Sequence, residues 1–119
     1  MADGQKQEQF LEAAVIIEAF ADEADLSDAL VTICVHAGVA AADVICCAAL
    51  GKHAKGEDHN QAVGLLRTVD QAAAKHLDAP LSAKTRAGYS HQPVTAADRK
   101  RALRAATALV QLAKTHTRP

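Results

Sequence analysis

The sequence predicts an all-α fold, a single domain over residues 1–119 built as a four- or five-helix antiparallel up-and-down bundle. Three observations support this prediction. Alanine is the commonest residue, aromatic residues make up only 3% of the chain, and prolines number three. Small side chains and few helix breakers favour closely packed helices. A chain of 119 residues fits one hydrophobic core of ordinary size.

The first two helices are predicted from their apolar patterns. Apolar residues between positions 10 and 24 recur three and four apart with acids opposite, which predicts an amphipathic helix over residues 5–23. Residues 28–50 are apolar on nearly every side and stop at Gly51. A helix that is apolar all round is typical of the centre of a bundle.

The third helix is predicted to start at Asp58, where Gln61 three positions later resembles a capping box. Its apolar face continues until Pro80, which is expected to end it. Residues 81–87 can add a short helical turn that Gly88 breaks, so that the following residues form a loop.

The last helix is predicted to follow a second capping box, Thr95 with Asp98, and to end near Thr115. All connections between the predicted helices are short. Short connections favour antiparallel neighbours and therefore an up-and-down bundle.

The apolar segment is also long enough to suggest a membrane span, yet His36 and Asp43 lie inside it. A charge near the bilayer centre costs roughly 2.5 to 3.5 kcal/mol, so we predict a buried helix of a soluble protein and no membrane partner. The first residues lack the pattern of a secretory signal, which predicts a cytoplasmic protein. The cysteines are then expected to be reduced core residues, namely Cys34, Cys46 and Cys47.

Charge is divided between the two halves of the chain. Residues 1–60 hold eleven acids and three bases, and residues 61–119 hold three acids and ten bases. One interpretation is that acidic helices pack beside basic ones, within a chain or between two subunits. The other is a phosphate-attracting patch on the last two helical segments, formed by Lys84, Arg86, Arg99, Lys100, Arg101 and Arg104.

Three polar residues of the central helix, Thr32, His36 and Asp43, share one face. A buried carboxylate needs a partner, and for Asp43 we considered Arg86, His91 or a helix-start amide. The group can be a structural network that fixes helix register. Alternatively, Asp43 and His36 support or orient a catalytic residue.

Arg86 and His91 have the two chemical properties needed to cleave RNA without a metal. An imidazole can move a proton near neutral pH, and a guanidinium can stabilise charge developing on phosphate oxygens. Neighbouring Tyr89 can stack on a base or cover the end of the bundle. Structural roles for the arginine and the histidine are the alternative. We predict no metal ligand and no cofactor.

With Arg86 and His91, with residues 39–51 and with Asp58 and His59, the chain resembles the HEPN domains, small helical bundles whose catalytic members carry an Arg-x4-His motif. The resemblance covers roughly residues 10–115 and is greatest to small actinobacterial HEPN-like proteins. It implies a metal-independent endoribonuclease of the toxin or phage-defence type, with Arg86 and His91 as catalytic residues.

Pairing with a second copy is predicted from the all-round apolar central helix and the opposed charges of the halves. The resemblance also implies a dimer that brings two motifs together. The alternative function is a noncatalytic helical module that binds a protein, such as an antitoxin or a nucleotidyltransferase.

Overall fold

Five helices make up the part of the chain that the computed structural model describes, which is residues 2–24, 27–54, 59–90 and 94–117, with side chains described for 5–19, 27–54, 59–85 and 94–116. In order, the helices are α1 (Ala2–Ala24), α2 (Ser27–Leu50), α3 (His59–Val69), α4 (Gln71–Ser90) and α5 (Ala96–Thr117). The predicted all-α helical bundle is confirmed.

Helix α2 lies at the centre and packs against each of the other four helices. An 18-residue window of α2 is apolar enough to cross a membrane, but 56% of it is buried inside the protein. Its most buried residues include Leu30, Val31, Cys34 and Ile45. This burial favours the core helix of a soluble bundle over a membrane span.

Contacts between named residues give the direction of each helix. Helices α1 and α5 are antiparallel, because Glu8 near the start of α1 pairs with Lys114 near the end of α5. Glu18 pairs with Arg99 at the other end of both helices. The two pairs also join the acidic and basic halves of the chain within one molecule.

Helices α4 and α5 run in opposite directions along α2. Lys84 contacts Thr32 near the start of α2, whereas Leu77, earlier in α4, packs beside Gly38. Leu109 of α5 also packs beside Gly38, whereas Arg99, earlier in α5, donates a hydrogen bond to Ser27 at the start of α2. The C-terminal end of α4 and the N-terminal end of α5 therefore meet near the start of α2.

The prediction that Pro80 ends the third helix is wrong. The break lies at Asp70, where the Ala73 amide donates a hydrogen bond of 3.1 Å to the Asp70 carboxylate, so Asp70 is the N-cap of α4. Pro80 lies inside α4. Proline lacks an amide donor, but its ring is fully buried, and this packing offsets the lost bond.

The break predicted at Gly88 is also wrong, because α4 continues through it to Ser90. Two other predicted helix ends are confirmed. Gly51 has a positive φ of 73°, and its amide donates to the Cys47 carbonyl at 3.0 Å, as expected for a glycine after a helix. The Asp98 amide donates to Thr95 Oγ1 at 3.0 Å, which caps α5.

Candidate functional site

The predicted catalytic segment lies where α4 ends and α5 follows. Arg86 and Tyr89 are in the last turns of α4, a helix that ends at Ser90. Their side chains lie outside the described residues, as does the whole of His91. The backbone therefore places Tyr89 on a helix rather than in the predicted loop, and it places Arg86 on the same helix rather than on a separate short turn. We call the region formed by residues 84–90 and 94–104 the α4–α5 end.

Lys84 fixes the α4–α5 end to the central helix. Its Nζ donates a hydrogen bond of 2.8 Å to Thr32 Oγ1. Thr32, one of the three polar residues predicted to share a face of α2, thus holds a lysine two positions before Arg86. The contact is solvent-exposed, and the lysine charge remains accessible to an anion.

Arg99 must be removed from the predicted phosphate-attracting patch. Its side chain is only 4% exposed. Its Nε lies 2.9 Å from Glu18 Oε2, an ion pair that is not aligned as a hydrogen bond, and its Nη1 donates to Ser27 Oγ at 3.2 Å. A buried guanidinium with these partners holds α1, α2 and α5 together and cannot meet a phosphate from solvent.

The remaining bases of the first turns of α5 are on the surface. Lys100, Arg101 and Arg104 are exposed, and Arg101 makes a long contact of 3.4 Å with Asp98. With Lys84 they give the α4–α5 end a positive charge. Such a charge attracts phosphate groups.

Asp43 lies away from this end. Its side chain is 19% exposed, and its Oδ1 is 3.9 Å from His53 Nδ1. Asp43 is eleven residues beyond Thr32 on α2, a distance of about 16 Å along the helix. Because α4 runs antiparallel to α2, Arg86 lies beyond Thr32 in the other direction. The structure does not bring Asp43 to the Arg86 segment.

His36 is exposed and stacks on Phe10 of α1, with ring centroids 5.4 Å apart. The contact joins α1 to α2 near the middle of both helices. It is an offset aromatic contact of the kind that stabilises packing. The described contacts of His36 do not include the end of α4 that carries Arg86.

Cys34 and Cys46 are held as neutral thiols by their surroundings. Burial, and then the charge of Glu18, raises the pKa of Cys34 to about 12. Burial raises the pKa of Cys46, with smaller effects from Asp43 and Cys47. Thiols with raised pKa values are poor nucleophiles and poor metal ligands at neutral pH. Within the described ranges, no three His, Cys, Asp or Glu side chains are grouped to hold a metal ion.

Two features of this structure were missed in the sequence. The contact of His53 with Asp43 joins residues ten apart across a helix end, and no local pattern indicates it. The ion pair between Arg99 and Glu18 joins residues 81 apart. The sequence indicates this ion pair only through spacing. Arg99 follows Thr95 by four positions, which places it on the inner face of α5.

In comparisons with known proteins, the chain matches no family model, no curated protein and no solved structure. The resemblance to HEPN domains therefore stays a prediction. Function has to be argued from the chain itself.

Proposed function

We propose that the protein is a cytoplasmic, HEPN-like RNA endonuclease that works without a metal ion, with Arg86 and His91 as its catalytic residues. One observation supports the proposal above the others. The helix that carries Arg86 ends beside the basic first turns of α5, at the end of the bundle where α2 begins. The backbone at Arg86 thus lies at the same end of the bundle as the exposed bases Lys84, Lys100, Arg101 and Arg104.

In the proposed reaction, His91 takes the proton of a ribose 2′-hydroxyl or gives one to the leaving 5′-oxygen. The 2′-oxygen forms a bond to phosphorus while the bond from phosphorus to the 5′-oxygen breaks. Arg86 stabilises the negative charge on the nonbridging oxygens. The products are a 2′,3′-cyclic phosphate and a free 5′-hydroxyl.

Exposed bases hold the substrate in this proposal. Lys84 lies near the end of α4 and Arg101 near the start of α5, and in the proposal both contact phosphates that flank the scissile bond. Tyr89 is available to stack on a base. Asp43 has no part in the proposal because it lies about 16 Å along α2 from Thr32. His36 has none because its ring stacks on Phe10 of α1.

The test is cleavage of single-stranded RNA in excess chelator. We expect the wild type to release fragments ending in 2′,3′-cyclic phosphate, and His91→Ala or Arg86→Ala to lower the rate by at least about a hundredfold. His116→Ala is the matched control, because this histidine is exposed near the end of α5 and should cleave like the wild type. Equal cleavage by the Arg86→Ala, His91→Ala double variant would refute the proposal.

A noncatalytic interaction module is the second candidate function. It is favoured by the large apolar side chains exposed on α1, Val15 at 54% and Ile16 at 56%. Exposed apolar groups of this kind mark protein-binding surfaces when they cluster. An antitoxin or a nucleotidyltransferase is the partner that the HEPN resemblance implies. Stable protein association with no RNA cleavage in chelator would support this function over the first.

A further inference from the structure

A groove begins in the basic turns of the α4–α5 end and continues along α5. Its volume is about 610 Å³, which is enough for a small ligand or for part of a larger one. One residue of α1 lines it, together with residues of α5 that are three and four positions apart and so share a helix face. The lining consists of Glu18, Lys100, Leu103, Arg104, Thr107 and Ala108. We call this feature the α5 groove.

Two bases give the α5 groove a positive charge. Lys100 and Arg104 are both exposed. Within the part of the chain that the structure describes, neither of them makes an ion pair. The acid of the groove, Glu18, is already paired with Arg99 at 2.9 Å. The α5 groove therefore favours an anionic ligand.

The other side chains of α5 in the groove give it an apolar surface. Leu103 and Ala108 are half-buried aliphatic residues. Thr107 donates its hydroxyl proton to the Leu103 carbonyl oxygen at 2.8 Å, so that proton is already used within the helix. A ligand that fits this groove has an anionic part for the two bases and an apolar face for Leu103 and Ala108.

A single strand of RNA has both parts at every nucleotide. Lys100 and Arg104 are one turn apart, about 6 Å along the helix axis, which is close to the distance between successive phosphates of a strand. An unpaired base can enter a groove that the base pairs of a duplex cannot enter. The groove is also continuous with the α4–α5 end, where Lys84 and Arg101 are exposed. This continuity favours RNA over an acidic segment of a protein partner.

We propose that the α5 groove is a subsite for the RNA strand beyond the scissile bond. Lys100 and Arg104 hold successive phosphates there, and an unpaired base lies against Leu103 and Ala108. The subsite rests on the proposed RNA cleavage for the identity of its ligand. It adds a requirement on the substrate, because the RNA has to be single-stranded on the side of the scissile bond that enters the groove.

Binding of a single-stranded 2′-O-methyl RNA of about eight nucleotides tests the phosphate contacts, because this strand is not cleaved. Fluorescence anisotropy measures its dissociation constant at several salt concentrations. Arg104→Ala should raise the constant at least about fivefold. It should also lower the slope of log affinity against log salt by about 0.7, the value for one phosphate contact with a single strand. Arg67→Ala is the matched control, since Arg67 is exposed on α3 outside the groove, and it should change neither quantity.

A substitution that fills the groove tests the base contact separately. Ala108→Leu should raise the dissociation constant of the single strand at least about threefold and leave the salt slope unchanged, since it removes no charge. It should not change the binding of a 2′-O-methyl duplex. Ala72→Leu, at an exposed position near the start of α4, is its control and should bind like the wild type. Circular dichroism checks that each variant is folded.

The outcomes separate the subsite from the proposed cleavage. Equal constants for Arg104→Ala and Arg67→Ala, or wild-type binding by Ala108→Leu, would overturn the subsite and leave the groove to a protein partner. No binding of the single strand by the wild type at millimolar RNA would overturn it as well. If the variants weaken binding as expected but the wild type releases no cyclic phosphate in chelator, the proposed cleavage is refuted and the subsite stands.

Discussion

The two ends of helix α2 are held by different kinds of interaction. At its C-terminal end, the side chains of α2, α3, α4 and α5 form an apolar cluster that includes Ile45, Leu66, Leu77 and Leu109. At its N-terminal end, an apolar cluster is joined to a network of polar contacts from Arg99 to Glu18 and Ser27 and from Lys84 to Thr32. The apolar end is stabilised by close packing of side chains, whereas the polar end depends on specific ion pairs and hydrogen bonds. The candidate site lies at the polar end.

Leu77→Ala should give the largest loss of stability because it opens the apolar end. Leu77 is fully buried and lies against the backbone of α2 at Gly38. Removing its side chain leaves a cavity and should lower the free energy of unfolding by about 3 kcal/mol. Urea unfolding followed by circular dichroism measures this. A loss below about 1 kcal/mol would mean that the cluster is not the main source of stability.

Arg99→Met should come next, with a loss of about 2 kcal/mol, because Glu18 keeps its charge without its ion-pair partner. The Glu18 side chain is 24% exposed, so water offsets part of that cost. Glu18→Gln added to Arg99→Met should recover part of the loss. If the double variant is as unstable as the sum of the single ones, the two residues do not interact.

High pH should weaken the N-terminal end through Cys34. Its pKa of about 12 in the folded chain exceeds the usual thiol value of about 8.5 in an unfolded chain. Stability from this neutral thiol is complete below about pH 8.5 and falls as pH rises toward 12, since the unfolded chain loses the proton first. Between pH 8 and 10, the free energy of unfolding should fall less steeply with pH in Cys34→Ala than in the wild type.

Gly64→Ala should give the smallest effect, a gain of about 0.5 to 1 kcal/mol. Gly64 lies in α3 with nothing within 4 Å of an added Cβ, and alanine favours the helix. Gly38→Ala is its matched opposite. There the added Cβ would lie 3.0 Å from Leu77 Cδ1, so crowding should cancel the gain. Equal stabilisation by both substitutions would show that α2 and α4 pack less closely than the structure has them.

The features of the fold that could be predicted are those that depend on residues close together in the sequence. The helical spacing of apolar residues gave α1, α2 and α5, and local capping groups at Gly51 and Thr95 gave correct helix ends. The helix-breaking tendency of Pro80 is outweighed by the packing of its fully buried ring, and α4 continues through Gly88 as well. Asp70 is of a residue type that caps helices, so the sequence does carry a local signal for the start of α4.

The candidate site was less predictable because its contacts join distant parts of the chain. Arg86, His91 and a helix-start amide were the predicted candidate partners of Asp43, but the distance from Asp43 to Arg86 depends on the register of α2 against α4, which no local pattern shows. One of the two interpretations of the charge pattern placed Arg99 on the surface with its neighbours. Its burial follows from the position of Glu18, a residue 81 positions away.

The central claim is that the α4–α5 end is the part of the protein that binds RNA. A short 2′-O-methyl RNA tests it most directly, because it lacks the 2′-hydroxyl proton and cannot be cleaved. Titrated in chelator against isotope-labelled protein, it should shift the backbone amide resonances of residues 84–90 and 94–101. Amides of residues 62–74, at the opposite end of the bundle, should not shift. Shifts confined to residues 62–74, or no shifts at millimolar RNA, would contradict the claim.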